Sequence, residues 1–144
     1  MRDIKFRGKR LDNNKWVYGF LWIFQKPDTS WYKTHITPKY ESVRIEVFPD
    51  TVGQFTGQHD KNSKEIYFDS DIVEYTSTDC EEEEIKVTGT VVLDLQFTLS
   101  FCVQTPGGAL YHFTASELRN VEIIGNITEN PKMLLLEEQN NGKL

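Results

Sequence analysis

The stretch Trp16-Val17-Tyr18-Gly19-Phe20-Leu21-Trp22-Ile23-Phe24 constrains the fold of this chain more than any other. An extended backbone sends alternate side chains to opposite faces. Trp16, Tyr18, Phe20, Trp22 and Phe24 therefore line one face, and Val17, Gly19, Leu21 and Ile23 the other. Both faces are apolar, so water is expected to be excluded from both. That places the strand in the middle of the structure or at a subunit interface. A platform that stacks exposed bases is the competing use of such rings. No Lys or Arg interleaves the rings along the strand, which argues against it.

The rest of the chain reads as strands as well. Ile4 and Phe6 alternate with Lys5, Arg7, Lys9 and Arg10, predicting a first strand over residues 3–10 with one wet face. Asp12-Asn13-Asn14 supplies turn residues and closes a hairpin onto the aromatic strand. Pro27-Asp28 marks the next turn, followed by a strand from Trp31 to Ile36 that Pro38 stops. Val43, Ile45 and Val47 alternate with Arg44 and Glu46, predicting a half-buried strand. The stretch Val52 to Val73 is dense in turn signals, and a domain junction is placed near residues 57–70.

Beyond Asp71 the alternation is regular. Strands are predicted at Ile72–Tyr75, over Ile85, Val87, Val91, Leu93 and Leu95, over Phe97, Leu99, Phe101 and Val103, at Ala109–Phe113, and over Val121, Ile123 and Ile127. The acidic run Asp79-Cys80-Glu81-Glu82-Glu83-Glu84 repels itself and predicts a solvated loop. Ser116-Glu117-Leu118 predicts one helical turn before the last strand. Five short strands with a helical turn before the fifth follow the order of an SH3-like barrel. The predicted organisation is a mainly β chain: an N-terminal β-rich region (1–60), an SH3-like β-barrel (61–130), and a short C-terminal helix and tail (131–144). Asn130-Pro131 supplies a helix start, an N-cap followed by proline at the first helical position. Leu134, Leu135 and Leu136 cannot all face one side of that helix, so some need cover from the sheet or another subunit.

Composition excludes some functions. The N-terminus has no apolar signal core, and no segment is long enough to cross a bilayer as a helix. Cys80 and Cys102, without a secretion signal, predict a reducing compartment and no disulfide framework. The net charge of −6 is uneven. Residues 1–50 hold ten Lys/Arg against six Asp/Glu, and residues 51–144 six against sixteen. Unlike faces of neighbouring subunits are expected to attract. Lys5, Arg7, Lys9 and Arg10 are the candidate nucleic-acid contacts, although an acidic chain argues against wide phosphate binding.

A search for reactive constellations is sparse. Cys102 and His112 fall on neighbouring strands, but no nucleophile elbow or oxyanion loop accompanies them. Two cysteines and three scattered histidines match no zinc spacing. Asp60-Lys61-Asn62-Ser63-Lys64-Glu65, with Asp71 at the twelfth place, fails as a calcium loop. Lys64 stands at a ligand position and Glu65 replaces the glycine needed for the turn. Asp60, Asp69 and Asp71 are the carboxylates that a metal-dependent hydrolase would use. The expectation is a protein without catalytic residues, metal or cofactor.

Three segments stand out from this background. They are Arg2-Asp3-Ile4-Lys5-Phe6-Arg7-Gly8 with Trp16-Val17-Tyr18-Gly19; Thr51-Val52-Gly53-Gln54-Phe55-Thr56-Gly57 through Asp60-Lys61-Asn62-Ser63-Lys64-Glu65-Ile66-Tyr67 and Asp71-Ile72-Val73; and Val121-Glu122-Ile123-Ile124-Gly125-Asn126-Ile127 with Glu129-Asn130-Pro131. Together they resemble the YopX family of bacteriophage and prophage proteins. That family usually carries Asn-Gly where this chain has Asn62-Ser63, and Glu-Gly-Asp where it has Asp69-Ser70-Asp71. The resemblance implies an SH3-like C-terminal barrel, an N-terminal β-rich region, self-assembly and the cytoplasm of a bacterial host, and it implies no activity. The leading expectation is a non-enzymatic accessory protein that forms homo-oligomers through Trp16, Tyr18, Phe20, Trp22, Phe24, Leu134, Leu135 and Leu136. Its further partner would be a phage or host protein, with no membrane involved. Nucleic-acid binding is the alternative, and a metal-dependent hydrolase the remote one.

Overall fold

The computed structural model describes residues 3–25, 27, 32–78, 82–94, 100–112 and 115–135. The chain divides into two compact units, Met1–Gly57 and Gln58–Leu144.

The first unit contains β1 (Phe6–Lys9), β2 (Trp16–Gln25), β3 (Tyr32–Thr37), β4 (Ile45–Val47), a 3-10 turn at Pro49–Thr51, and the start of β5 (Gly53–His59). Within this unit the strands lie in the order β4-β3-β2-β1-β5, antiparallel at each pairing. The β1–β2 hairpin closes through the Arg10 N–H on the Lys15 carbonyl at 3.0 Å. Asn14 takes a left-handed backbone (φ 58) in that turn, a conformation Asn tolerates better than most residues. Thr51 fixes the 3-10 turn: its hydroxyl donates to the Phe48 carbonyl at 2.6 Å and accepts the Lys9 N–H at 2.8 Å.

One face of this sheet carries the small core of Val17, Ile36 and Val47, with Phe6, Leu21, Ile45 and Val52 packed against it. Gly19 is dictated by a close approach. A Cβ there would lie 2.0 Å from the Thr37 carbonyl oxygen.

The second unit contains β6 (Glu65–Tyr67), β7 (Asp71–Thr78), β8 (Glu84–Asp94), β9 (Ser100–Gln104), β10 (Leu110–His112), a 3-10 helix at Ala115–Asn120, and β11 (Val121–Asn126). Residues 132–135 form a helical turn. β7 to β11 form an antiparallel sheet in the order β10-β9-β8-β7-β11, with a bulge in β11 between Ile123 and Gly125. The core gathers Ile66, Val73, Tyr75, Val87, Val91, Val103, Leu118 and Val121.

Several expectations are refined. The first strand spans Phe6–Lys9 rather than 3–10, because Asp3–Lys5 has no registered strand partner. The third strand runs Tyr32–Thr37, and Val43 lies outside β4 and is exposed. The five strands and the preceding 3-10 helix keep the order expected for the second unit. No registered pairing joins β10 to β11, so the described sheet is open rather than a closed barrel. Trp31, Cys80, Leu95, Phe97, Leu99, Phe113, Leu136 and the tail beyond it lie outside the described residues.

Candidate functional site

The aromatic strand is not shielded as expected. Tyr18, Phe20, Trp22 and Phe24 are 40–53% exposed, and Ile23 on the opposite face is 63% exposed. The reason is register. β1 pairs with β2 only from Trp16 to Gly19, while β3 pairs with it from Phe20 to Gln25. The outer half of β2 is thus a two-stranded arm with β3, flanked on the far side by only three residues of β4. Its aromatic face is left partly open to solvent. Trp16, at the inner end, is half-buried beneath Arg7 (4.6 Å to the ring centre) and Lys9 (5.4 Å).

Strand pairing also recruits polar groups that the linear sequence hides. His35 lies opposite Trp22, Thr37 opposite Phe20 and Lys33 opposite Phe24. The Trp22 indole N–H donates to Thr37 Oγ1 at 3.0 Å. The Arg44 guanidinium sits over both Trp22 (4.7 Å) and Phe24 (5.0 Å), and Trp22 and Phe24 stack nearly parallel. His35 meets Phe24 edge-on at 5.4 Å, and its buried Nδ1 has no hydrogen-bond partner among the described residues. Lys33 pairs with Glu46 at 3.9 Å. β2 itself carries no cation among its rings. The cations arrive from β1, from β3 and from the residue before β4. The turn signal Pro27-Asp28 implies that β2 and the strand after it pair, but counting outward from it sets Trp22 opposite Lys33, two residues away from the observed partner His35.

The four basic candidates are engaged within the unit. Lys5 lies over Phe55 at 5.0 Å, and Arg7 is buried against Trp16. Arg10 donates from Nε and Nη2 to the two Asp12 carboxylate oxygens at 2.9 and 2.7 Å. That pair holds the Asp12 carboxyl below, and the Arg10 guanidinium above, its ordinary pKa. Where β1 ends, a cleft of about 410 Å³ opens between Asp3-Ile4-Lys5, Tyr18-Gly19-Phe20 and Lys39.

The acidic candidates of the second unit serve the backbone. Asp60 Oδ1 accepts the N–H groups of Asn62 (2.8 Å) and Lys64 (2.9 Å), and Oδ2 accepts that of Ile123 (2.9 Å). Asp71, 1% exposed, accepts the Tyr67 N–H at 2.7 Å. Asp69 is exposed with a left-handed backbone (φ 54). Ser63 is left-handed too (φ 64), so serine keeps the shape of a turn that glycine adopts more readily. Among the described residues no group of three His, Cys, Asp or Glu could hold a metal ion. Cys102 and His112 face each other across β9 and β10. Cys102 is fully buried and donates to the Val92 carbonyl at 3.6 Å, whereas His112 is exposed. Leu134 is half-buried and Leu135 exposed on the helical turn. No described helix is long and apolar enough to cross a membrane.

This combination of a β1–β2 hairpin, a capped Asp60–Glu65 loop and a β11–Asn130 corner is carried by the three segments singled out in the sequence. A family model described as YopX protein matches residues 5–135. The chain belongs to the YopX family. The matched span contains the Asp60 and Asp71 backbone caps and the Gly125–Asn130 corner. In that corner Asn130 Oδ1 accepts the Asn126 N–H at 3.3 Å. No curated protein matches the chain.

Proposed function

We propose that this chain is a non-enzymatic phage or prophage accessory protein that acts by self-association through the β2–β3 arm. Family membership supports a phage-type origin. One observation carries the rest: the same few residues of β2 expose apolar side chains on both faces, Phe20, Trp22 and Phe24 on one and Ile23 on the other. Scattered exposed apolar residues need no explanation, but a contiguous cluster marks a contact surface. The opposite charge of the units supports attraction between unlike faces of neighbouring copies: residues 1–57 hold ten Lys/Arg against six Asp/Glu, and residues 58–144 six against sixteen. The strand order of the second unit supports an SH3-like reading of that sheet. Such folds host many functions, so the order adds no role of its own.

The test is the mass of the purified full-length chain in solution, by light scattering and sedimentation. Association that Trp22→Glu weakens is the expected result. A strict monomer at high concentration refutes the reading.

A second reading is favoured by the cations over the rings. Arg7 and Lys9 at Trp16, and Arg44 at Trp22 and Phe24, interleave charge with aromatic faces across strands. Single-stranded nucleic acid is bound by such surfaces. Its test is a mobility shift with single-stranded DNA and RNA at low salt. Binding that weakens steeply with salt and is lost in Arg44→Ala supports it, and no shift refutes it.

A further inference from the structure

We propose that copies of this chain associate edge to edge, the outer half of β2 pairing antiparallel with the same segment of a second copy about a twofold axis at Ile23. The proposal rests on the self-association reading above and specifies its geometry.

The argument starts from which backbone groups point outward. The Phe55 N–H is held by the Lys5 carbonyl, and the Phe48 N–H by the Lys9 carbonyl. The odd-numbered residues of the β1 region thus turn their backbone groups away from β2, and the even-numbered ones turn towards it. The Arg10 N–H on the Lys15 carbonyl agrees. Phe6 and Gly8 lie opposite Gly19 and Val17. The odd residues of β2 therefore face the β1 side, and the even ones face β3. Beyond Gly19 no strand among the described residues is registered on the β1 side. Leu21, Ile23 and Gln25 consequently present their N–H and C=O groups along an open edge.

That edge has none of the usual protections. Phe20-Leu21-Trp22-Ile23-Phe24-Gln25 contains no proline and no charge, and no bulge is registered in it. Strands left this way pair with other strands. A two-stranded arm is also marginal in water without further strands or cover.

A second copy fits better than an arbitrary strand because the edge is complementary to itself. With Ile23 on the axis, Ile23 faces its own mate and Leu21 faces Gln25 of the second copy. Every outward backbone group of the segment then finds a partner, about six hydrogen bonds in all. Trp22 of each copy lies opposite Phe24 of the other on the aromatic face, and aromatic cross-strand pairs are favourable. No like charges meet along the line. Lys33, beside Phe24, is already paired with Glu46. The result is one continuous sheet whose aromatic–cationic face remains open on both copies.

The experiment compares edge variants of the full-length chain by sedimentation and by cross-linking. Ile23→Pro removes an outward N–H while leaving the β3 pairing intact. It is expected to weaken association on the order of tenfold to a hundredfold. Ile23→Cys in a Cys80→Ser background is expected to form a disulfide-linked dimer, since facing Cα atoms lie about 5.5 Å apart. Leu21→Cys alone is expected not to, because its partner is Gln25. Association in which Ile23→Cys stays unlinked, or in which Ile23→Pro folds and associates like the parent, overturns this geometry and leaves self-association standing. A parent chain that is monomeric throughout removes both. Should Ile23→Pro fail to fold, the cysteine pair decides the question by itself.

Discussion

In the second unit a contiguous set of apolar side chains is sealed from solvent, and Ile66, Val73, Val91, Val103 and Val121 are all fully buried. In the first unit Phe20, Trp22 and Phe24 face outward, and the core cluster is the smaller set Val17, Ile36 and Val47 with their partly buried neighbours. Both sheets are antiparallel and use the same alternation. They differ in which face bears the big residues. Apolar alternation reports that a strand exists, and the register of its neighbours decides what becomes of each face.

Stability measurements can break this contrast. Ile66→Ala, in the second core, is expected to cost about 2–5 kcal/mol in urea denaturation. Phe20→Ala removes more atoms from a half-exposed site and is expected to cost less than about 1 kcal/mol. Equal losses would mean that the arm is as well covered as the core. Asp60→Ala strips three backbone N–H groups of their acceptor and is expected to cost about 2–3 kcal/mol, again in the second unit. Ser63→Gly relieves a left-handed backbone and is expected to stabilise by about 0.5–1 kcal/mol, read as a rise in the denaturation midpoint.

The smallest effect belongs to the first unit. Asp12 is held ionised by Arg10, so its folded-state pKa lies below the unfolded one. Its contribution is present above the ordinary aspartate pKa of about 4 and is lost as pH falls through the lowered value. The pair is solvent-exposed, so Asp12→Asn is expected to shift the acid limb of the stability curve only slightly.

Most strands were legible because alternation is a local property. Val87 and Val91 share one expected face and Val103 lies on that of the next strand; all three are buried, whereas Ile85 and Leu93, on the first of these faces, are exposed. The Cys102–His112 juxtaposition was also legible, because Pro106-Gly107-Gly108 marks the hairpin between them. What misled was the inference from a doubly apolar strand to a buried one. That step needs the length of the β1–β2 pairing, which stops at Phe6 and Gly19, and nothing in the residues of β2 encodes it. Arg44 was invisible for a related reason. It lies outside β2 and reaches Trp22 and Phe24 only once β3 and β4 have paired. The carboxylates of Asp60 and Asp71 read as potential ligands because a sequence lists acids without the backbone groups they cap.

The cap made by Asp60 ties a short loop to a strand sixty-three residues later, through the N–H of Ile123. The Lys61 N–H on the Val121 carbonyl and the Lys61–Glu122 ion pair at 3.0 Å reinforce the link. A nascent chain that has left the ribosome only as far as Glu65 contains the acid but not its distant donor. The loop therefore gains its full set of bonds only after β11 has been synthesised and has docked beside β7, making its protection from hydrogen exchange a late signal in folding.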